Sequence, residues 1–192
     1  SHDGAVWLPA VLTTLAAQTR LPDTAVGVDT GSVDGSSELM VSSFGLERTV
    51  ALSDTVGFGE AVATGLAHID PRGHEPFGPD VVSWVWLLHD DSAPDPGCLE
   101  ALLSTADDHP SAAVLGPKIL GWHDRRLLLE AGVTVNGAGR RITGLERREH
   151  DQGQHDGVRD VLAVSSAGML VRRDVWDALH GFDPALRLFR DD

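Results

Sequence analysis

The apolar positions of this chain change their period several times, and each change marks an element. Leu8, Val11, Leu12 and Leu15 fall at i, i+3, i+4 and i+7, one face of a helix. Ala25-Val26-Gly27-Val28 follows as a short buried strand ending at Asp29. A dense turn cluster, Thr30-Gly31-Ser32-Val33-Asp34-Gly35-Ser36, separates it from a second helix over 37–44. Residues 47–52 predict a strand, and Phe58, Val62, Leu66 and Ile69 mark a third helical face. After a loop rich in proline and glycine over 68–80, residues 81–88 are almost wholly apolar. Such a run predicts a strand covered on both faces, at the centre of a parallel sheet. Asp95 and Pro96 predict the start of a fourth helix, a capping carboxylate followed by proline at the first helical position. Leu99, Leu102 and Leu103 form its core face.

Beyond residue 110 the pattern weakens. Residues 112–115 and 127–135 predict strands, whereas 134–160 is glycine-rich and charged and predicts no regular element. Residues 161–171 predict a strand interrupted by the small residues Ser165-Ser166-Ala167-Gly168, and 173–180 a short helix stopped by Gly181. Strands alternate with helices through the first 115 residues. That order predicts an α/β fold: a mostly parallel central sheet flanked by helices, with a smaller mixed region after it. Ligands of such sheets bind beyond the carboxyl ends of the strands, so the polar residues that end each strand are the candidates. Asp29-Thr30-Gly31-Ser32 ends the first strand and His89-Asp90-Asp91 the apolar one. Carboxylates there offer oxygen ligands for Mg²⁺ or Mn²⁺, bound with room left for substrate phosphates.

Charge narrows the partners. The formal net charge of −14 disfavours nucleic acid, whose affinity rests on Lys and Arg contacts to phosphate. A phosphate bound among these carboxylates needs a cation between them. With 192 residues, 42% of them hydrophobic, the chain has the size and core of one domain. The single cysteine, Cys98, can form no internal disulfide, which fits a reducing compartment. No apolar run reaches the roughly 20 residues of a membrane span, and Ser1-His2-Asp3-Gly4 does not open like a secretory leader.

The ordered motifs resemble a known family. His2-Asp3-Gly4, with Trp7-Leu8 and Gln18-Thr19 behind it, looks like the opening of a bacterial polysaccharide-type family 2 glycosyltransferase of the GT-A fold. The segment from Val28 to Gly35 is similar to that family's "VDNGSTDG" stretch, and Leu87 to Pro94 resembles its DXD-type stretch. Ser165 to Arg173 looks like the acceptor-side strand and helix, Gly181-Phe182-Asp183-Pro184 like the "GGFDE" turn, and Phe189-Arg190-Asp191-Asp192 like "FFxED". The resemblance implies a metal-dependent, inverting transfer of a sugar from a nucleotide-diphosphate sugar to the hydroxyl of a glycan or lipid-linked glycan. Asp29 then contacts the base, and Asp90 lies near the ribose or the metal. His2, Asp3, Gly31, Ser32 and Asp34 line the substrate pocket. Asp91 is the metal ligand, and Asp192, with Asp191 beside it, is the general base. The domain is expected to run over 1–192, cut at both ends, with 1–115 the nucleotide-sugar half and 116–192 the acceptor half. It is expected in the cytoplasm, meeting a membrane only through segments outside the chain. The sequence departs from the family in three places: its first strand lies upstream of Ser1, His89 replaces an acid, and a downstream metal-binding histidine falls beyond Asp192.

Plainer readings stand beside these. Asp90 and Asp91 can form an ordinary strand-end turn, Asp29 and Asp34 can cap their loop, and Asp191 and Asp192 can be solvated acids. Trp84, Trp86 and Trp176 read as core, while Trp122 and His123 stay unassigned. Arg140, Arg141, Arg147 and Arg148 read as a solvated loop, His150 and His155 are a weak metal pair, and Cys98 is a buried helix residue. The rival functions are a nucleotidyltransferase, which lacks here its basic phosphate loop near Asp3-Gly4-Ala5-Val6, a non-catalytic nucleotide-sugar-binding module, and a glycosidase.

Overall fold

A computed structural model describes residues 1–70 and 81–183. The first helix, α1 (Leu8–Ala16), has its proline at the start, where a missing N–H leaves nothing unpaired, and buries Leu8 and Val11. β1 (Gly27–Thr30) alternates buried and half-buried positions. Gly35, at φ 94°, turns the chain into α2 (Ser36–Phe44). A single tight turn over Leu46–Arg48 precedes β2 (Thr49–Leu52), so the predicted strand is shorter by its first two residues. β2 runs parallel to β1, with Val28 opposite Val50. α3 (Phe58–Ile69) lies close to β1 because Gly65 has no side chain: a Cβ there would stand 2.7 Å from Val28 Cγ2.

The apolar run narrows to β3 (Trp84–Trp86), followed by α4 (Cys98–Asp108), β4 (Val114–Leu115), β5 (Ile119–Leu120) and β6 (Leu128–Glu130). β7 (Thr134–Val135), β8 (Arg141–Ile142), β9 (Leu170–Arg172) and α5 (Arg173–Leu179) complete the described elements. The described residues do not show the mostly parallel central sheet that the sequence predicts. Among the described residues only β1 and β2 pair in parallel. β9 inserts between β3 and β4, antiparallel to both. Because β9 comes from far along the chain, Trp84 faces Arg172 and Trp86 faces Leu170, while Val81 and Val82 stay exposed rather than covered.

Three further expectations shift. Helix α4 starts after Gly97, not at Asp95. The Asp95 carboxylate turns to the Arg125 guanidinium, and its carbonyl accepts N–H groups from Cys98 at 2.9 Å and Gln18 at 2.8 Å. Gly132, at φ 83°, breaks the run over 127–135 into β6 and β7. The region 134–160 holds the small ladder of β7 with β8, and of the run over 161–171 only β9 is a strand.

Two apolar clusters form the core. Leu66, Leu87, Met169 and Val171 meet Trp176 in one, and Leu99, Leu102 and Leu115 pack on Leu170 in the other. Trp84 and Trp86 pack against the second, as core residues. Between the β1–β2 pair and the β3–β9–β4 sheet lies a cleft of about 1470 Å³, lined by Val28 on one side and Val85 on the other, with Ser1, His2, Asp90 and Asp91 on its wall. No helix among the described residues is long and apolar enough to cross a membrane.

Candidate functional site

Residues 1–5 cross the ends of β1 and β3 and bind them together. The Ser1 nitrogen donates to Val28 O at 2.6 Å and the Thr30 N–H to Ser1 O at 2.9 Å, so the chain extends the free edge of β1. The next N–H, from His2, donates to Asp90 Oδ2 at 3.0 Å, and the His2 ring nitrogen Nδ1 lies 2.7 Å from Thr30 O. Gly4 then passes directly over Asp90: an added Cβ would stand 2.4 Å from the carboxylate, so no side chain fits.

The turn after β1 is held against the same segment. Asp3 donates its N–H to Ser32 Oγ at 2.9 Å and accepts the Val33 N–H at 2.8 Å. Asp34 accepts the Ser36 hydroxyl at 2.6 Å and the N–H groups of Ala5 and Ser36. These bonds, the Ser36 hydroxyl first, hold its carboxyl below the usual carboxylate range. Asp34 therefore caps and ties its loop, the plainer of its two readings. Gly31, at φ 77°, lies so close to the Asp54 backbone that a Cβ would be 2.8 Å from its nitrogen. That contact draws the loop after β2 to the same rim.

Asp29 is 3% exposed. Its Oδ2 accepts the Ser32 N–H at 3.1 Å, while Oδ1 is buried and receives no hydrogen bond. Ser1 bonds the end of β1 through the Thr30 N–H, and the next residue, His2, donates its N–H to Asp90, so one short segment ties both strand ends. The strand ends of β1 and β3 thus share a rim. Asp91, the next residue, is exposed and borders the cleft beside Asp90 and Asp54. His89 lines the same cleft: its Nε2 lies 3.0 Å from Ser166 Oγ, and the ring packs edge-on against Phe58 at 4.9 Å.

Among the described residues no group of three or more His, Cys, Asp or Glu stands close enough to hold a metal ion. His150 lies near Asp124 and His155 bonds Glu149, so they do not form a metal pair. A hard cation at this rim has Asp91, and Asp90 beside it, with Asp90 already accepting a backbone N–H. That donor set fits a cation that takes one or two carboxylates and fills its other positions with water and phosphate oxygens. It does not make a closed protein cage. Asp191 and Asp192 lie outside the described residues.

Gly4, Asp54 and Ser166 belong to the site although their residue types did not single them out. Asp54 carried a usable signal, an acid just beyond a predicted strand on the same sheet edge. Gly4 carried a fainter one, the glycine between His2-Asp3 and a helix. Ser166 had none beyond the small-residue run.

The family model of "Glycosyltransferase like family 2" matches residues 7–192. The chain belongs to that family. The α/β character of the family agrees with the five helices and the paired strands among the described residues. Two curated relatives are the N-acetylglucosaminyl-diphospho-decaprenol L-rhamnosyltransferases of Mycobacterium tuberculosis strains CDC 1551 / Oshkosh and ATCC 25618 / H37Rv. Each is 30% identical to this chain over 112 residues, which is 58% of the chain. The match spans 36% of each relative's own length.

Proposed function

We propose that this glycosyltransferase domain moves a sugar from a nucleotide-diphosphate sugar to a hydroxyl of a glycan or lipid-linked glycan, with inversion and with help from a divalent metal. Asp29 carries the reading. A buried acceptor left without a donor costs about 1–3 kcal/mol, and Asp29 Oδ1 is such an atom on the rim where two strand ends converge. A ring N–H or amino group of a nucleobase satisfies it. The turn from Gly31 to Asp34, pinned to Asp3 and Ala5, forms the adjoining wall. Asp90 stands on the ribose side.

Asp91 is the ligand for Mn²⁺ or Mg²⁺, which supplies charge to stabilise the departing diphosphate. Asp192, with Asp191 next to it, removes the proton of the acceptor hydroxyl as that oxygen attacks the anomeric carbon. Residues 1–115 are then the donor half and 116–192 the acceptor half. The relatives are named for L-rhamnose transfer to N-acetylglucosaminyl-diphospho-decaprenol, so a deoxyhexose donor and a polyprenyl-diphosphate sugar are the first substrates to try. Such an acceptor places the enzyme at the cytoplasmic face of a membrane.

Calorimetric titration with a panel of nucleoside diphosphates, with and without Mn²⁺, tests the reading. Tighter binding with metal is expected for one base. Asp91→Ala should abolish that metal-dependent gain and leave the thermal midpoint unchanged, because the side chain is exposed. An unchanged gain in the variant removes Asp91 from the metal site. No binding by any nucleotide removes the proposal.

A further inference from the structure

On the far side of the acidic rim three rings gather that the sugar-transfer chemistry does not use. Trp7 packs edge-on against Trp122, centroids 5.1 Å apart at 78°, and against His123 at 6.1 Å and 61°. Trp7 belongs to the rim itself: its N–H donates at 2.9 Å to Gly4 O, and Gly4 lies on the Asp90 carboxylate. The loop carrying Trp122 and His123 is closed by bonds from the Gly121 N–H to Leu127 O at 2.8 Å and from the Leu127 N–H to Asp124 O at 2.9 Å. It is fastened, through Arg125, to Asp95, four residues past Asp91. A buried Gly121 makes the turn possible, since a Cβ there would stand 2.8 Å from Asp124 O.

Despite this bracing, Trp122 remains 38% exposed and His123 is exposed. In an edge-to-face pair the edge of one ring meets one face of the other, so Trp7 covers at most one face of the Trp122 indole. A free indole face on a fixed loop suits the C–H face of a pyranose, and the His123 ring nitrogens can meet sugar hydroxyls. The position separates this surface from the donor. Ser32 and Asp34 reach Asp3 and Ala5 from the β1 side, whereas the Trp122 loop is tied to the chain beyond Asp91, on the β3 side. The geometry points to a stacking platform, made by Trp122 and His123 and braced by Trp7, for a pyranose ring of the acceptor glycan. The assignment to the acceptor rests on the sugar-transfer reading.

Saturation-transfer NMR tests the platform directly, with methyl glycosides of N-acetylglucosamine, rhamnose, mannose and galactose as probes. Irradiating aromatic protons should saturate the ring C–H protons of at least one glycoside. Trp122→Ala should abolish that signal and Trp122→Phe keep it, with circular dichroism unchanged in both. In transfer assays Trp122→Ala should raise acceptor KM about tenfold, the equivalent of 1.4 kcal/mol, with little change in kcat. Nucleotide affinity should stay the same. If no glycoside receives saturation, or if Trp122→Ala retains it, the platform is wrong. If nucleotide affinity falls instead, the rings serve the donor and the inference is also wrong. Nucleotide calorimetry on the unaltered protein reports separately on the sugar-transfer reading itself.

Discussion

Residues 1–115 hold their loops with buried side chains and with carboxylates aimed at backbone N–H groups. Residues 118–160 use the same kind of bond, with Asp124, Glu149 and Asp151 each accepting a backbone N–H, and add ion pairs to it. In the first region Asp3, Asp29, Asp34 and Asp90 each accept at least one backbone N–H, so the acidic rim is fixed by bonds that cannot swing away. In the second, Lys118 joins Asp151 and Asp156, Arg141 meets Glu130 at 2.8 Å, and His155 meets Glu149 at 2.9 Å. Its ladders are only two or three residues long. Pairs of this kind contribute little each and weaken with salt. The acidic rim rests on backbone-directed bonds, and the arm beside it adds pairs that salt can weaken.

β9 complicates a division by sequence, because it follows the arm in the chain yet packs in the core of the first region. Leu170 is 1% exposed, set between β3 and β4 and against Leu99, Leu102 and Leu115. Leu170→Ala should therefore destabilise the protein more than any change in the arm, by about 2–5 kcal/mol in urea unfolding, through lost burial and a residual cavity. A cost under about 1 kcal/mol would mean that β9 is not the keystone of that sheet.

The arm should respond more weakly. Gly132 needs its φ of 83°, and an added Cβ would stand 2.6 Å from Val161 Cγ1. Gly132→Ala should cost about 1–2 kcal/mol for placing a side chain in the left-handed region, plus the displacement of Val161. The damage should stay local. Hydrogen exchange should quicken at the Val133 N–H, which bonds Ala163 O at 2.8 Å, and remain slow at Val171. Equal loss of protection at both amides would erase the distinction between the regions.

The same contrast explains what the sequence made legible. α1 and α3 are long enough for their apolar faces to repeat, and β1 is followed by a turn whose residues leave few alternatives. The rule that ligands gather at strand ends pointed to the ends of β1 and β3, which residues 1–4 bridge, although among the described residues these strands pair in separate sheets. β9 was hidden because its partners lie more than fifty residues away, and an antiparallel insertion leaves no mark on the period of β3. Asp95-Pro96 read as a helix start, but a charged partner, Arg125, competed for the cap. Gly132 interrupts a run whose apolar residues continue past it, so periodicity alone passed over the break. At the site, His2 was named for its position, but its backbone N–H to Asp90 is a contact that residue identity does not encode.

The smallest effect should come from acid. Glu149 is held down to about 2 by the Gln154 side chain first, then by the Glu146 N–H and His155. Asp151 is held below the carboxylate range by Lys118 first and the Gly153 N–H second. A carboxyl whose folded pKa lies below its unfolded value adds stability that is complete above the unfolded value and lost as pH falls through the folded one. For Glu149 that window runs from its ordinary 4.5 down to about 2. The arm amides most exposed to this loss are Leu128, bonded to Glu149 O at 2.9 Å, and Asp151, bonded to Arg126 O at 2.6 Å. Their protection factors, corrected for intrinsic exchange, should fall between about pH 5 and pH 3 while that of Val171 holds. The groups concerned lie near the surface, so salt should shrink the effect. If Val171 loosens in step with Leu128, the arm and the core melt as one unit, and the two kinds of bonding do not divide the molecule.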